Sequence, residues 1–307
     1  MDLRHFRYFC AVARERNFSR AALSLHIAQP PLSRAMLQLE DELGVALFDR
    51  TTRPLNLTEA GRFFFEQASQ ILMRVEQIHD STKRIGKAQR RTCVVGCVGS
   101  TLYGEVPDFV RRLGEKRPDL DVEICEIMSA EQASALKEGR IDLGFGRVRF
   151  IDPDVACVTL REERLVVAMP LRHAKATTKA PLCLADLSGE SMIFYPSRPR
   201  PSFADEILNL LAKHDVRPGD MHEVREIQTA LGMVAAGAGL CLIPAASQRL
   251  RPDDLVYRLI EDVGATSPVL LSYRQDDTSG IAQTAISLTE EIYAEHPAWL
   301  QFSAIQI

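Results

Sequence analysis

The sequence has no long uninterrupted hydrophobic stretch. Its 307 residues are 46% hydrophobic, yet Gly and Pro break the longest apolar runs, such as residues 233–246. None reaches the roughly 20 apolar residues that a membrane-spanning helix needs. The first residues, MDLRHFRYFCAVARER, return to charge too quickly for the hydrophobic part of a secretion signal. We therefore expect a cytoplasmic protein that does not associate with a membrane.

Motifs typical of catalysis and of bound cofactors are also missing. The sequence contains neither a GxxxxGK phosphate loop nor a GxSxG nucleophile motif, and DLGFGRVRF lacks the third glycine of a dinucleotide site. The seven histidines show no metal-ligand spacing, and the seven cysteines form no CxxC pair. These absences predict a protein that is not an enzyme, holds no metal or cofactor, and keeps reduced thiols, most of them in the core.

Charge is distributed unevenly along the chain. The net charge is −4, but residues 1–91 carry 15 Lys and Arg against 10 Asp and Glu, whereas residues 92–307 carry 22 against 31. A basic first part attached to an acidic remainder favours a small polyanion-binding module at the N-terminus. The excess is modest, so charge alone does not decide the partner.

The segment IAQPPLSRAMLQLEDELG, residues 27–44, combines two prolines with helical periodicity. Its apolar residues recur every three or four positions: Leu32, Met36, Leu39 and Leu43. Proline is tolerated in the first turn, where the N–H has no intrahelical partner, so we expect Pro30 at the first helical position. Gly44 suits a left-handed C-cap. The sequence predicts a helix whose start is fixed to within about one residue.

Shorter elements surround this helix. An amphipathic helix begins near Leu3, and Ser19 is the expected N-cap of a second short helix over residues 20–25. Two extended runs, residues 47–49 and 55–57, predict a small β-hairpin. Two short helices joined by a tight turn, followed by a hairpin, indicate a helix-turn-helix with a wing.

A helix-turn-helix of this kind reads DNA with the N-terminal end of its second helix. Arg34 can make a bidentate contact to guanine, and Gln29 can address adenine or a phosphate. Any single arginine is as well explained as a solvated surface residue, but the set favours DNA binding. The predicted DNA-binding residues are Gln29, Pro30, Pro31, Ser33, Arg34, Gln38, Arg50 and Arg53.

A long helix follows, with Thr58 as its expected cap and no breaker from Glu59 to Ile85 except Gly61. Its apolar positions are spaced alternately by four and three residues, which predicts a heptad seam along about 40 Å of helix. The residues predicted to pair two chains are Phe64, Ile71, Val75, Ile78 and Ile85. Packing of this helix on its own domain is the alternative.

The remainder alternates apolar extended runs with helical stretches. This alternation predicts an α/β fold with a mostly parallel sheet, and its length predicts two lobes. Several hydroxyl or amide side chains lie where a predicted strand ends or a helix begins: Ser100, Thr101, Ser129, Ser202 and Gln228. Ligands bind at such strand ends, and helix N-termini attract anions. Each serine taken alone is more often an N-cap, a role that is compatible with ligand binding.

The run FSRAALSLHIAQPPLSRAMLQLEDELGVALFDRTTRPLNLTEAG resembles the winged helix-turn-helix of LysR-type transcriptional regulators. The resemblance implies a DNA-binding domain over 1–58, a linker helix over 59–90 and an effector domain of the periplasmic-binding-protein type over 91–307. Lobe I would comprise about 91–162 and 268–307, and lobe II about 163–267. It also implies a homotetramer that binds promoter DNA and contacts RNA polymerase.

The runs VGSTLYG, ALKEGRIDLGFGR, YPSRPRPSF and EVREIQTALGMVAAG are similar to the muconate-responsive regulators of catechol and benzoate catabolism. The similarity implies an activator switched by cis,cis-muconate, with chloromuconate, benzoate or another aromatic acid as alternatives. The implied effector-binding residues are Ser100, Thr101, Ser129, Phe145, Arg147, Pro201, Ser202, Phe203, Ile227 and Gln228. Arg161, Glu163 and Tyr293 match a second, aromatic-acid site, or else form a salt bridge.

Overall fold

The computed structural model describes residues 1–52, 54–86, 90–177, 180–297 and 300. For residues 73, 74, 76, 77 and 80–86 it describes the backbone only. The chain folds into two compact units, Met1–Gln89 and Arg90–Ile307. Within the described residues no helix is both long enough and apolar enough to cross a membrane.

The first unit contains four helices and a small hairpin among its described residues. These elements are α1 (Leu3–Glu15), α2 (Phe18–Ser24), α3 (Gln29–Leu43), β1 (Phe48–Asp49), β2 (Asn56–Leu57) and α4 (Glu59–Gly86). The predicted apolar stripe of α3 is buried at Leu32, Met36 and Leu39, which join the core of this unit. Leu43 departs from the prediction: it is the last residue of α3 and is 37% exposed.

The starts of α2 and α3 differ slightly from the predictions. Asn17, not Ser19, caps α2, since its Oδ1 accepts from the backbone N–H groups of residues 19 and 20 at 2.9 and 3.1 Å. Helix α3 begins at Gln29, with Ala28 as the N-cap, so Pro30 occupies the second helical position. The reason is that the first turn leaves several N–H groups unpaired, and proline fits any of them.

Glycine and threonine define the helix ends on either side of the hairpin. Gly44 ends α3 with φ +68°, as predicted for a left-handed C-cap. Phe48 pairs with Leu57 in the antiparallel hairpin. Thr58 Oγ1 accepts from the N–H of Gly61 at 2.9 Å and so caps α4 as predicted. A β-carbon at Gly61 would lie 2.0 Å from the backbone oxygen of Leu47, which precedes β1. Only glycine therefore lets the first turn of α4 pack this closely against that backbone.

The second unit alternates strands and helices. Its strands are β3 (Arg91–Cys97), β4 (Leu120–Glu126), β5 (Leu143–Gly146), β6 (Val155–Pro170), β7 (Met192–Phe194), β8 (Met221–Glu223), β9 (Cys241–Pro244), β10 (Leu255–Leu259) and β11 (Thr266–Arg274). Its α-helices are α5 (Glu105–Lys116), α6 (Ser129–Lys137), α7 (Phe203–Lys213), α8 (Ile227–Ala235) and α9 (Ile281–Ala294).

The main sheet of this unit is mixed, which corrects the expectation of a mostly parallel sheet. Its order is β10-β6-β11-β5-β3-β4, with β9 also paired to β6. Strand β3 is parallel to β4 and β5, and β7 is parallel to β8, but β6 pairs antiparallel with β9, β10 and β11. The sheet is mixed because β11, from the far end of the unit, lies between β5 and β6 and is antiparallel to both, just as β6 lies between β10 and β11.

Two large apolar clusters divide this unit into lobes. Lobe I surrounds the cluster formed by β3, β5, α5 and α9, and lobe II surrounds the cluster formed by β7, β9, α7 and α8. Strand β6 serves both, with Leu160 packed on the first cluster and Leu165–Met169 inside the second. Strand β11 runs beside β6 along most of its length. Two long neighbouring strands therefore join the lobes, and the predicted two-lobed α/β architecture is confirmed.

Candidate functional site

The N-terminal end of α3 presents an exposed polar surface. Gln29, Pro30, Pro31, Arg34 and Gln38 are exposed, and Ser33 is half-buried. Gln29 Nε2 donates to Ser33 Oγ at 3.1 Å, which holds both polar side chains on one side of the first turn. Within the described part of the chain Arg34 has no hydrogen-bond or ion-pair partner. This end of the helix can approach a polyanion without first breaking an internal ion pair, and its role in DNA reading stays a prediction.

Of the two arginines predicted in the wing, Arg50 has internal contacts that Arg34 lacks within the described residues. Arg50 Nη2 lies 2.7 Å from Glu40 Oε2, and its guanidinium carbon lies 5.7 Å from the centre of the Phe18 ring. The same Glu40 carboxylate accepts two backbone N–H groups that lead into β1. Arg50 thus helps to fix the hairpin, and a phosphate contact would have to share its guanidinium. Arg53 lies outside the described residues.

The predicted pairing seam of α4 has two parts. Near the start of the helix Phe64 packs inside its own unit, with its ring centre 4.9 Å from that of Phe9, and Ala68 is buried in the same cluster. Further along, Ile71 and Ile78 are 41% and 56% exposed, and Val75 is half-buried. The side chain of Ile85 lies outside the described part of the chain. An exposed apolar row therefore begins at Ile71, because α1 already covers the first turns.

A cavity opens between the lobes of the second unit. Its empty space, including open solvent at the mouth, is about 570 Å³. The ends of several strands and the starts of several helices form its walls. Eight of the ten residues predicted to bind an effector line it: Ser100, Ser129, Arg147, Pro201, Ser202, Phe203, Ile227 and Gln228. The structure thus brings together residues that are far apart in the chain; their contact with a ligand remains a prediction.

The two remaining predicted residues do not line this cavity. Thr101 is fully buried, and its Oγ1 donates to the carbonyl of Val98 at 2.8 Å. Phe145 is an interior residue of β5, with its ring centre 5.0 Å from that of Phe109. Thr101 is therefore turned onto its own backbone, and Phe145 belongs to the core of lobe I.

On the lobe I side the cavity wall is built around Arg147. This residue is 2% exposed, and its Nε donates to Ser100 Oγ at 2.6 Å. Its backbone N–H donates to Ser129 Oγ at 3.0 Å, and the N–H of Val148 donates to the same oxygen at 3.4 Å. Both hydroxyl oxygens therefore act as acceptors, which leaves their protons free to be donated into the cavity. A carboxylate is the partner that such donors favour.

A buried ion network lies behind this wall. Arg147 Nη2 is 2.7 Å from Glu163 Oε2, and Arg161 Nη2 is 3.3 Å from the same oxygen and 3.0 Å from Glu105 Oε2. The backbone N–H of Ala246 donates to Glu163 Oε1 at 2.6 Å. Burial opposes the ionisation of Glu163, but the two arginines outweigh it and hold the pKa of this carboxyl below its usual value. Glu163 is therefore charged at neutral pH.

The three residues of the predicted second site belong to this network. Arg161 and Glu163 are paired as described, and the Arg161 guanidinium carbon lies 5.6 Å from the centre of the Tyr293 ring. Burial raises the pKa of the Tyr293 hydroxyl well above its ordinary value, so it is a neutral donor. Arg161 already contacts two internal carboxylates, so this geometry favours the salt-bridge alternative over an open aromatic-acid pocket.

On the lobe II side, the start of α7 faces the cavity. Ser202 Oγ donates to the carbonyl of Pro196 at 2.8 Å, and its backbone N–H donates to Asp205 Oδ2 at 2.7 Å. The leading N–H groups of an α-helix have no acceptor within it. In α7 these are the N–H groups of Phe203 and Ala204, since that of Asp205 donates to the Ser202 carbonyl at 3.0 Å. Gln228, at the start of α8, donates from Nε2 to the hydroxyl of Tyr103 in lobe I at 3.3 Å. It therefore connects the two lobes at the cavity wall.

Sequence reasoning missed several lining residues, notably Glu126, Met128, Tyr195, Arg225 and Glu226. Glu126 ends β4 and Tyr195 follows β7 directly, so the strand-end rule that selected Ser100 would also have selected them. The Tyr195 hydroxyl is buried and has no hydrogen-bond partner among the described residues. Its aromatic ring lies 5.4 Å from that of Phe203, centre to centre, and forms an apolar part of the wall.

The cysteines are free thiols, and none is placed at the cavity. Cys10, Cys93, Cys97 and Cys241 are buried, whereas Cys125, Cys157 and Cys183 are half-buried. Burial raises the pKa of Cys93 and Cys97 to about 12, which keeps both protonated and unreactive. Among the residues that the structure describes, no group of three or more His, Cys, Asp or Glu side chains is arranged to hold a metal ion.

Comparisons with known proteins identify both units. The chain matches a model of the bacterial regulatory helix-turn-helix protein, lysR family, over residues 3–62 and a model of the LysR substrate binding domain over residues 86–291. The probable cat1 operon transcriptional activator of Acinetobacter lwoffii is 54% identical over 98% of this chain and 99% of that protein. The HTH-type transcriptional regulator CatR of Pseudomonas putida is 46% identical over 94% of this chain and 98% of that protein.

A solved structure agrees with these matches. Full-length CbnR, a LysR family regulator complexed with its target DNA, has a TM-score of 0.73 and 28% identity, and covers 95% of this chain and 99% of that chain. These relatives are regulators, which confirms the prediction that the chain is not an enzyme. A helix-turn-helix of this kind binds DNA, and the second domain binds a small molecule. The chain therefore belongs to the LysR family of bacterial helix-turn-helix transcriptional regulators.

Proposed function

We propose that the protein activates genes for the degradation of aromatic compounds when a dicarboxylate such as cis,cis-muconate binds between its lobes. The observation that carries this proposal is the arrangement of donors in the cavity. The Ser100 and Ser129 hydroxyls face it from lobe I, and the start of α7 at Phe203 faces it from lobe II. Apolar side chains such as Ile227 lie between them. A short unsaturated chain with a carboxylate at each end matches this pattern.

The names of two relatives support the choice of genes. One is described as a cat1 operon transcriptional activator and the other as CatR, and both match nearly the whole chain. The division proposed from the sequence, with residues 1–58 for DNA, 59–90 for pairing and 91–307 for the effector, suits such a regulator. We extend the proposal to a homotetramer paired along Ile71 and Ile78, which recruits RNA polymerase and acts in the cytoplasm, where the chromosome lies.

The proposed switch rests on contacts that join the two lobes. Gln228 of lobe II donates to the Tyr103 hydroxyl of lobe I at 3.3 Å, and Arg249 donates to the Tyr103 carbonyl at 3.3 Å. A ligand held by both lobes changes their closure only if it binds one arrangement more tightly than the other. Effector binding would then favour one closure angle and pass it through the assembly to the DNA-binding helices.

Calorimetric titration of the full chain with cis,cis-muconate, chloromuconates and benzoate tests the effector. We expect a single strong site for muconate that is weakened in S100A and S129A, because each variant removes one hydroxyl donor. Ser134→Ala is a matched control, since Ser134 is half-buried on α6, does not line the cavity, and its hydroxyl bonds only within its own turn. Muconate that left the operator footprint and DNA bend unchanged at saturation would refute this effector assignment.

The DNA-reading role of α3 is tested separately. Arg34→Ala should lose discrimination between operator and random DNA while its affinity for muconate stays that of the wild type, since Arg34 and the cavity lie in different units. One lost bidentate contact corresponds to about 1–3 kcal/mol of discrimination. Gln38→Ala, one turn further along the same exposed face, should cost less. Equal loss of operator and effector binding in R34A would mean that α3 is structural.

Benzoate or another aromatic acid is the alternative effector, with Arg161, Glu163 and Tyr293 as its proposed second site. A ligand carboxylate there must displace Glu105, whose Oε2 lies 3.0 Å from Arg161 Nη2. Glu105→Gln removes that competing charge and should strengthen benzoate binding if the site exists. A benzoate isotherm that does not respond to E105Q would leave the three residues with a purely structural role.

A further inference from the structure

Glu126 lies in the cavity wall without a cationic partner. It is the last residue of β4, it is exposed, and it lines the cavity. Its side chain turns over Gly99, because a β-carbon placed on Gly99 would lie 2.7 Å from Glu126 Oε1. With the described part of the chain Glu126 forms neither a hydrogen bond nor an ion pair. Its carboxylate therefore lies, uncompensated, beside the backbone that carries Ser100.

The charges of the wall make this position unusual for an anion site. Two arginines, Arg147 and Arg225, and two glutamates, Glu126 and Glu226, line the cavity. Arg147 is already paired with the buried Glu163 at 2.7 Å, so its charge is largely compensated from behind. The wall as a whole offers a dianion no net positive charge. Affinity must come from directed hydrogen bonds, and Glu126 acts against it.

We propose that Glu126 is a specificity-determining residue that disfavours a ligand carboxylate near Gly99 and Ser100, and so sets how much dicarboxylate is needed to load the cavity. This inference rests on the proposed function, because it takes a muconate-like dianion as the ligand. Like charges across a partly exposed site repel with an energy between the values for water and for a protein surface. Removing one of them should therefore tighten binding.

The test compares two variants that remove the same charge from the same strand. Glu126→Gln keeps the shape of the side chain in the wall, whereas Glu123→Gln changes an exposed glutamate of β4 that does not line the cavity. Each full-length protein is titrated calorimetrically with cis,cis-muconate and with its monomethyl ester. We expect E126Q to lower the Kd of muconate about tenfold, and E123Q to change it by less than about twofold.

The ester separates charge from shape. It carries one carboxylate and can turn its neutral end towards Glu126, so E126Q should improve its binding much less than that of muconate. Unchanged or weaker muconate binding by E126Q would overturn the proposal, and so would an equal gain in E123Q. If none of the three folded proteins binds muconate, the effector assignment fails and this inference with it. Equal binding by wild type and E126Q removes the inference alone.

Discussion

Replacing Arg147 with methionine tests the buried network most directly. The substitution keeps much of the side-chain volume but leaves the fully buried Glu163 without the guanidinium 2.7 Å away. Removing one partner of a buried ion pair typically costs about 3–5 kcal/mol. Arg161 at 3.3 Å and the N–H of Ala246 at 2.6 Å still contact Glu163, so we expect the lower end, about 3 kcal/mol. For a unit of this size that corresponds to a fall in Tm of roughly 6–12 °C.

The loss should depend on pH in a defined direction. The pKa of Glu163 is held below its usual value in the fold, so this carboxylate stabilises the folded state above the pKa of an unfolded glutamate, about 4.3. That contribution disappears as the pH falls through the lower, folded value. R147M loses the part of this contribution that Arg147 supplies, while Arg161 and the N–H of Ala246 remain. The difference in unfolding free energy between wild type and R147M should therefore be largest near neutrality and shrink in acid.

Urea unfolding followed by far-ultraviolet circular dichroism measures these differences. Lys116→Met is a suitable control, because Lys116 and Glu291 form an ion pair at 3.0 Å in which both side chains are about half exposed. Such a pair contributes at most about 1 kcal/mol. The double variant R147M/E163Q should be more stable than R147M, since it no longer buries an undercompensated charge. A loss in R147M that is the same in acid and at neutrality, or a double variant as unstable as the sum of its singles, would refute this reasoning.

Two further predictions concern single positions. Gly44→Ala should destabilise the first unit by about 1 kcal/mol, because alanine is strained at φ +68°. Gly114→Ala should instead stabilise the second unit by roughly 0.5–1 kcal/mol, because Gly114 lies inside α5 with no atom within 4 Å of the added methyl. Urea unfolding of the two variants distinguishes the two signs. The hydrogen bond from Cys183 Sγ to Glu261, at 3.1 Å, is the main cause that raises the pKa of this thiol to about 11. Glu261→Gln should therefore speed alkylation of Cys183 at mildly alkaline pH, while buried Cys241 stays unreactive. Equal alkylation rates in wild type and E261Q would show that the carboxylate does not control the thiol.

The first unit could be predicted closely because its signals are local. Proline in the first turn, apolar spacing and Gly44 define α3 without knowledge of any other element. The errors are also local. Asn17 and Ser19 are both good N-caps two residues apart, and only the geometry of the turn decides that Asn17 is used. The sequence position of Phe64 suits a heptad seam as well as it suits the observed contact with Phe9, because either role needs an apolar residue on the same face of α4.

The sheet of the second unit could be predicted only in part. Alternating strands and helices imply parallel pairs, and β3 with β4 and β5 obeys that rule. The direction of β6 depends on strands far along the chain, since it pairs with β9, β10 and β11. Periodicity describes which residues are buried, not which strand is the neighbour. The antiparallel neighbour of both β5 and β6 is β11, which comes much later in the chain, so no local pattern indicates this arrangement.

The buried network shows what local patterns cannot reveal. The resemblance places Arg147 at the effector, and Arg161 and Glu163 at a second site or in a salt bridge. No local pattern links these residues to one another or to Glu105. Only the fold shows that each of these charges is compensated by another, and this compensation affects the cavity wall. Arg147 donates to Ser100 while its own charge is balanced by Glu163, so the wall offers hydroxyl protons rather than a bare cation. A ligand carboxylate that drew Arg147 forward would weaken its contact with Glu163 and leave Arg161 as the nearest remaining cation. In the proposed switch, the energy of that exchange would be subtracted from what the effector gains on binding.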